Sequence, residues 1–311
     1  MCTAIIYNNY FGRNLDLDSS YNEQIIITPR KFPIKYRKEN ICSNHFAYIG
    51  MAAYYNNTPL YYDGTNEKGL YCAGLNFPDN ARYLPYVENV YNITPFEFIP
   101  WILSQCSDIS DAKELISKTN LINIPFSEAL PLSPLHFLIA DKSGAIVVEP
   151  TVEGLMVYDD PNGVLTNNPP FLTQLFNLNN YMNLTAKTPT NRFYDTADLE
   201  PYSYGMGAIG LPGDWSSASR FVRATFVKLN SPRFSNDDEC VNQAFHILNS
   251  VAMPKGSIIM PNGEYEHTIY TCCMNGGRYF YTTYNSAIRG CVDMNKEDLT
   301  TKKLIFYPLQ H

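Results

Sequence analysis

The chain has 311 residues, of which 45% are hydrophobic and 17% charged, values typical of a folded globular protein and not of a disordered one. Its formal net charge of -7 argues against nucleic-acid binding, which requires a basic surface. No apolar run approaches the roughly 20 residues of a membrane span. Residues 1–30 contain Arg13, Asp16 and Glu23 and lack the continuous apolar core of a signal peptide, so we expect a cytoplasmic protein.

The first half of the chain combines strand patterns with two helix patterns. Alternating and β-branched residues predict strands at 2–7, 24–28 and 46–54. Thr94-Pro95-Phe96-Glu97 is a helix start, with a hydroxyl N-cap, an early proline and a glutamate at the third position. We expect that helix to reach Ser104 with a kink at Pro100, and a second helix at about 111–118.

The second half begins and ends with strands. Strands are predicted at 135–140, 145–149, 155–158, 267–274, 278–284, 291–294 and 304–307, and helices at 171–181, 217–229 and 240–251. Short turns between successive strands favour antiparallel sheets with the helices in separate blocks, which is an α+β fold. No break in composition marks a linker, so we expect one domain over residues 1–311.

The cysteines and histidines lack the spacing of a metal site. The eight cysteines form no CxxC pair, and the five histidines form no HExxH or HxH motif. We therefore expect free, mostly buried thiols and no metal site. His136 lies in the apolar run 135–139, where we expect a hydrogen-bonded core histidine.

Cys2 directly follows the initiator methionine. Once Met1 is removed, which a residue as small as cysteine permits, position 2 carries a thiol and a free α-amine. An α-amine has a reference pKa of about 7.7–8.0, so near neutral pH it can act as the base for the adjacent thiol. The residue would then be nucleophile and base at once. The alternative is a cysteine without a role at a mobile terminus.

Four stretches of the chain together resemble the choloylglycine hydrolase family, the N-terminal-nucleophile hydrolases that include bile salt hydrolases and penicillin V acylases. They are Met1-Cys2-Thr3-Ala4 followed by Phe11-Gly12-Arg13-Asn14-Leu15-Asp16; Asn66-Glu67-Lys68-Gly69-Leu70 running into Ala73-Gly74-Leu75-Asn76-Phe77; Leu165-Thr166-Asn167-Asn168-Pro169; and Gly210-Leu211-Pro212-Gly213-Asp214 with Ser219-Arg220-Phe221. The resemblance spans nearly the whole chain. It implies a four-layer αββα sandwich of two antiparallel sheets flanked by helices, and it implies no cofactor.

The resemblance also implies roles for individual residues in amide hydrolysis. Cys2 would be the nucleophile, and Arg13 would lie beside its sulfur, where a fixed positive charge favours the thiolate. Asp16 would accept a hydrogen bond from the α-amine and orient it. Asn76 and Asn167 match the oxyanion-hole positions, one through a backbone N–H and the other through a side-chain amide.

Without the resemblance the same residues have simpler readings. Arg220 would be an exposed helix arginine, whereas the family match predicts it at the active centre near Cys2. Arg13 and Asp16 would be a surface pair beside a turn. Residues 166–169 would be an ordinary turn.

The expected substrate is a conjugated bile salt. Penicillin V acylases of this family usually carry tyrosine at the position of Asn76, so the asparagine favours the bile salt branch. Matching pocket-wall positions form an apolar and aromatic set suited to a steroid face, although each could simply be a core residue: Leu15, Tyr62, Phe126 and Leu130. The chain departs from the family at Tyr71, where many relatives have glycine, which predicts a narrower or altered pocket.

Two alternative functions remain open. The enzyme alternative is a penicillin V acylase with the same mechanism, and the non-enzyme alternative is a silent homologue that binds bile salts, which retention of Met1 would favour.

The segment 188–204 matches the extension through which bile salt hydrolases form tetramers. We therefore expect a homotetramer with small-molecule substrates and with no nucleic acid or membrane partner.

Overall fold

The computed structural model describes residues 1–309 and has the expected α+β fold, in which two antiparallel sheets carry most of the strands. The first sheet has six strands in the spatial order Val164–Leu165 (β13), Cys2–Tyr7 (β1), Tyr10–Leu17 (β2), His267–Asn275 (β14), Arg278–Thr283 (β15) and Ser286–Asp293 (β16). The second sheet has nine strands: Gly154–Asp159 (β12), Gly144–Thr151 (β11), Leu135–Asp141 (β10), Tyr71–Asn76 (β7), Asp63–Asn66 (β6), Tyr48–Tyr55 (β4), Gln24–Thr28 (β3) and Ile305–Pro308 (β17) in order, with Thr58–Tyr61 (β5) paired to β4.

Helices lie on the outer side of each sheet. They are Phe98–Gln105 (α1), Ile109–Ile116 (α2), Phe171–Asn177 (α3), Ser217–Asn230 (α4) and Asp237–Asn249 (α5). Helices α1 and α2 contact the second sheet, whereas α4 and α5 contact the first. A small parallel pair, Tyr91–Ile93 (β8) with Thr119–Leu121 (β9), completes the described strands. The layer order is therefore helix, sheet, sheet, helix.

Both faces of the second sheet are buried, which gives the molecule two apolar clusters. In β3, Ile25 and Ile27 belong to the larger cluster, which contains Cys2, fills the space between the sheets and continues through the first sheet to residues of α4 and α5. Ile26 points the other way, into the cluster beneath α1. Because successive side chains of a strand alternate in direction, a run of three isoleucines can fill both layers at once.

Most predicted elements are present, with shifted ends. The strands predicted at 2–7 and 24–28 have those bounds. The helix predicted at 94–104 begins as a 3-10 turn at Pro95–Glu97 and continues as α1. Pro100 lies in the first turn of α1, where proline is tolerated because it interrupts no backbone hydrogen bond of the helix. The kink predicted at Pro100 therefore has no physical cause in this helix.

Several strands were not predicted, among them β2, β5 and β6, whose sequences lack the alternation of a half-buried strand. In β2 the polar side chains of Arg13, Asn14 and Asp16 are all fully buried. Such a pattern has no local apolar period, and the strand forms because β1 and β14 pair with it on both sides. No helix within residues 1–309 has the length and hydrophobicity to cross a membrane.

Candidate active site

A tight hairpin at the start of the chain sets the geometry around Cys2. Asn8 and Asn9 join β1 to β2 with φ angles of 49° and 65°, the left-handed conformation that asparagine tolerates and that a two-residue hairpin requires. This turn fixes a register in which Cys2 lies opposite Leu15 and Ala4 lies opposite Arg13. Directly opposed residues share a face, so Cys2 and Arg13 are diagonal neighbours on one face of the sheet.

The guanidinium of Arg13 contacts the sulfur of Cys2. Nη2 of Arg13 lies 3.0 Å from Sγ of Cys2, and Nη1 donates to the carbonyl oxygen of Tyr62 at 2.6 Å. Arg13 is fully buried and Cys2 is 3% exposed. Burial acts to lower the pKa of Arg13, but Cys2, Tyr270 and other acidic groups nearby outweigh it and raise that pKa. The sulfur therefore has a permanent cation beside it.

A buried carboxylate lies beside the guanidinium of Arg13. Oδ2 of Asp63 is 3.6 Å from Nη1 of Arg13, and both side chains are fully buried. The hydroxyl groups of Tyr270 and Tyr279 both donate to Asp63. Sequence reasoning did not identify Asp63, although it lies three residues before the quoted stretch 66–70.

Asp16 lies on the opposite face of β2, with one oxygen bound and one free. Oδ1 accepts from the hydroxyl of Thr268 at 2.6 Å. Oδ2 is buried and has no hydrogen-bond partner among the described residues, and Nη1 of Arg220 is 4.0 Å away. Burial raises the pKa of Asp16 against the opposing effect of Arg220. The free oxygen is available to a further donor.

Met1 occupies the space next to the nitrogen of Cys2. Its ammonium group donates to the carbonyl oxygen of Asp16 at 2.7 Å and to the carboxylate of Glu266. Burial lowers the pKa of this amine. While Met1 is attached, the nitrogen of Cys2 is an amide that donates to Oδ1 of Asn167 at 2.8 Å, and it cannot act as a base.

Asn167 and Arg220 hold the backbone of Cys2. Oδ1 of Asn167 also accepts from Arg220 at 2.7 Å, which orients the amide so that its Nδ2 donates to the carbonyl oxygen of Asn76 at 2.6 Å. Nη1 of Arg220 donates to the carbonyl oxygen of Cys2 and to the hydroxyl of Thr3, each at 2.6 Å. Arg220 is fully buried, so the reading of an exposed helix arginine is wrong.

The beginning of α4 fixes both of these residues. The hydroxyl of Ser216 caps the helix by accepting from the N–H of Ser219, and Arg220 follows in the first turn and points at β1. The hydroxyl of Ser217 accepts from the N–H of Asn167 at 2.8 Å. One helix terminus thus positions both Arg220 and Asn167. Asn76 ends β7 in the second sheet, so the site joins the two sheets.

The four pocket-wall candidates fall into two groups. Leu15 belongs to the apolar cluster that contains Cys2, and Tyr62 packs against it. Phe126 and Leu130 lie between β9 and β10, and Phe126 packs against Tyr55 and Phe96. Phe126 lines a cavity of about 400 Å³ whose lining includes none of the six candidate catalytic residues.

Tyr71 lies at the end of β7 that is remote from Asn76. Its ring stacks on Phe11 at 5.6 Å between centroids, and its hydroxyl donates to the carbonyl oxygen of Asn9 at 3.2 Å. The side chain is 3% exposed and belongs to the cluster between the sheets. The expectation that it narrows the pocket is wrong, because it fills the core instead.

Comparisons with known proteins agree over almost the entire chain. The family model of linear amide C–N hydrolases, choloylglycine hydrolase family, matches residues 2–307. The chain is 54% identical over 315 residues to a bile salt hydrolase/transferase of Lactiplantibacillus plantarum, an alignment that covers 100% of this chain and 97% of the relative. It is 36% identical to a conjugated bile acid hydrolase of Lactobacillus gasseri, with 99% of this chain and 100% of the relative covered.

Solved structures with the same fold are also known. A variant of the conjugated bile acid hydrolase from Clostridium perfringens matches with a TM-score of 0.92 at 36% identity, and the match covers 100% of this chain and 97% of that one. Penicillin V acylase from Agrobacterium tumefaciens matches with a TM-score of 0.76 at 20% identity, over 98% and 90% of the two chains. The second likeness concerns the fold alone.

Proposed function

Because this chain belongs to the choloylglycine hydrolase family of linear amide C–N hydrolases, we propose that it cleaves the amide bond between a bile acid and glycine or taurine. The observation that carries the chemistry is the contact at 3.0 Å between the guanidinium of Arg13 and the sulfur of Cys2 at the start of the chain. The substrate class is supported by full-length relatives named as bile salt or conjugated bile acid hydrolases.

The proposed reaction starts from a chain that begins at Cys2. The α-amine takes the thiol proton while the sulfur attacks the carbonyl carbon of the scissile amide, and a C–S bond forms. The resulting α-ammonium gives that proton to the leaving nitrogen, and the C–N bond breaks. A thioester remains. Water then attacks the thioester, again with the amine as base, and releases the bile acid and the free thiol.

The oxyanion of the tetrahedral intermediate needs hydrogen-bond donors already in position. We assign this role to Nδ2 of Asn167 and the backbone N–H of Asn76. The bond at 2.6 Å from Asn167 Nδ2 to the carbonyl oxygen of Asn76 supports the assignment, because it brings the two residues into contact and uses one of the two Nδ2 hydrogens. The other hydrogen would serve the oxyanion.

We assign positioning roles to Arg13, Asp16 and Arg220. Arg13 keeps a positive charge at the sulfur, which favours the thiolate during attack. The free Oδ2 of Asp16 would accept from the α-amine once Met1 is removed. Arg220 holds the carbonyl oxygen of Cys2 and Oδ1 of Asn167, so it ties the nucleophile to the oxyanion site.

We expect conjugated bile salts to be better substrates than penicillin V. The prediction rests on Asn76, on the full-length relatives named as bile salt or conjugated bile acid hydrolases, and on Leu15, an apolar side chain in the cluster that contains Cys2. The value of kcat/KM for glycocholate or taurocholate should exceed that for penicillin V by at least about tenfold, which requires about 1.4 kcal/mol of differential transition-state binding.

Amino-acid release from the two conjugates and the release of 6-aminopenicillanic acid, measured side by side, test this assignment. Equal or faster cleavage of penicillin V would identify a penicillin V acylase with the same mechanism. No turnover of any of the three by protein that begins at Cys2 would identify the silent binding homologue.

We further propose that the chain is a single cytoplasmic domain over residues 1–311 that assembles into a homotetramer through 188–204. Residues 188–204 contain no helix or strand. Phe193, Tyr194, Leu199 and Tyr202 of this segment are 88%, 63%, 51% and 85% exposed in the isolated chain. Exposed apolar side chains concentrated in one segment are typical of a protein–protein interface, where aromatic residues are enriched.

Shortening 188–204 should convert a tetramer into smaller species. We expect multi-angle light scattering to give a mass of about four chains for the wild type and a smaller mass for the shortened variant and for Phe193→Ser with Tyr202→Ser. Tyr86→Ser is the matched control, because Tyr86 is 61% exposed but lies outside the segment. A monomeric wild type, or a tetramer that the deletion leaves intact, would contradict the proposal.

A further inference from the structure

His136 is a buried histidine whose two ring nitrogens both face polar atoms. It lies in β10 and is 0% exposed. Nε2 lies 2.9 Å from the carbonyl oxygen of Thr166, and Nδ1 lies 3.4 Å from Oε1 of Glu149. Because a carbonyl oxygen can only accept, Nε2 carries a hydrogen and donates it. The sequence-based expectation of a hydrogen-bonded core histidine is confirmed. Two neighbours of His136, Thr166 and Phe77, also lie next to the proposed oxyanion-site residues.

The imidazole contacts the chain next to both oxyanion-site residues. Thr166, which accepts from Nε2, immediately precedes Asn167. The ring also stacks on Phe77, which immediately follows Asn76, with 4.3 Å between centroids and an angle of 8° between the planes. One side chain in the middle of the second sheet therefore touches both segments that must be held in register for the oxyanion.

Glu149 extends this contact to the other end of the same segment. Its Oε1, which faces His136, also accepts from the N–H of Phe171 at 2.9 Å. Thr166 and Phe171 bracket a stretch without helix or strand that contains Asn167. Such a stretch has no ladder of its own to fix it, so side-chain bonds to its backbone determine where it lies. Glu149 is 2% exposed, so water does not compete for these bonds.

We propose that His136, together with Glu149, is a positioning residue that holds the oxyanion donors of Asn76 and Asn167 in register. This inference rests on the proposed function, because it takes the oxyanion roles from it. The hydrogen bond and the ring contact of His136 go to the backbone of Thr166 and the ring of Phe77, and we infer that it acts through these two neighbours. Its loss should weaken transition-state stabilisation and leave the reactivity of the thiol unchanged.

His136→Phe separates these two effects, because it keeps an aromatic ring against Phe77 and removes the donor to Thr166. We expect kcat to fall about 10- to 100-fold, since displacement of a catalytic group by about 1 Å can reduce the rate by that factor. The value of KM should change less than about threefold, because ground-state binding does not use the oxyanion donors. The rate at which iodoacetamide alkylates Cys2, followed by mass spectrometry of the N-terminal peptide, should stay within about twofold of wild type.

Two further variants make the readout specific. His136→Gln returns an N–H at a similar reach and should recover part of the lost kcat. His45→Phe is the matched control, because His45 is also buried and bonds the carbonyl oxygens of Phe32 and Phe46, yet it contacts no neighbour of Asn76 or Asn167. The His45→Phe variant should lower the melting temperature. Its kcat, normalised to the amount of Cys2 that iodoacetamide can alkylate, should stay at the wild-type value.

The outcomes distinguish this proposal from the proposed function. The assay uses whichever of glycocholate, taurocholate and penicillin V the wild type cleaves fastest, so a wrong substrate assignment changes the assay and not the test. A wild-type kcat in folded His136→Phe overturns the positioning role, and so does a parallel loss of kcat and Cys2 alkylation. If His136→Phe does not fold, Glu149→Ala, which frees the Phe171 end of the segment, must give the same pattern.

Discussion

Replacing Cys2 with alanine should abolish amide hydrolysis while the protein stays folded. Without the thiol there is no nucleophile, and loss of a catalytic nucleophile reduces kcat by about 10⁶-fold in the best-studied hydrolases. Cys2→Ser should be nearly as inactive, because a hydroxyl is a much weaker nucleophile at neutral pH. The side chain is small and lies at the start of β1, so circular dichroism and the melting temperature should change little.

Activity should also require a free α-amine on Cys2. A fusion cleaved to leave Cys2 first should be active, whereas one cleaved to leave Met1 should be inactive, because Met1 turns the nitrogen of Cys2 into an amide that donates to Asn167. Intact mass identifies the two products. Cys291→Ala is the thiol control, since Cys291 is exposed, and it should keep full activity. Full turnover by protein that retains Met1 would contradict the mechanism.

A strand or helix of this fold can be predicted from the sequence only where its own residues show a recognisable apolar pattern. The strand β1 was predicted with its bounds because small and β-branched apolar residues follow one another there. The strand β2 was not, because its buried residues include Arg13, Asn14 and Asp16, whose charges and amides find partners on other elements. The partners of Asn14 and Asp16 lie more than two hundred positions away, and Arg13 bonds Cys2 and Tyr62 at 11 and 49 positions. A local pattern cannot reveal a strand whose polar groups are satisfied in this way.

The candidate site shows the same division. Six residues could be named beforehand because the family resemblance carries information about distant contacts, and the structure groups them around the start of β1. Asp63 and Glu149 could not, because the contact of Asp63 with Arg13 and the bond from the Phe171 N–H to Glu149 arise only in the folded chain. His136 had a local signal, an imidazole within an apolar strand, but that signal indicates only burial.

After loss of the nucleophile, replacement of Asp16 should have the largest effect on activity. Its Oδ1 is bound by Thr268, whereas Oδ2 is buried with no partner among the described residues. Leaving a buried carboxylate oxygen unsatisfied is unfavourable, so a donor is expected when Met1 leaves, and the α-ammonium of Cys2 is the group released there. Asp16→Asn should lower kcat about 10²- to 10³-fold, within the range for loss of a general acid–base contribution.

The pH profile shows whether Asp16 acts through the amine. Burial lowers the pKa of the Met1 amine, whereas Cys2 and Asp16 act to raise it. The negative charge of Asp16 should likewise favour the protonated form of the α-amine that Cys2 gains when Met1 is removed. Removing that charge lowers the amine pKa, so the base form persists to lower pH and the acidic limb of kcat/KM should move downward in Asp16→Asn. Asp141→Asn, at a buried aspartate bonded to Ile109 and Ser143, is the control and should leave the limb unmoved. A fall in kcat with an unmoved acidic limb would mean that Asp16 only supports the fold of β2, because a charge beside the amine cannot be removed without shifting its titration.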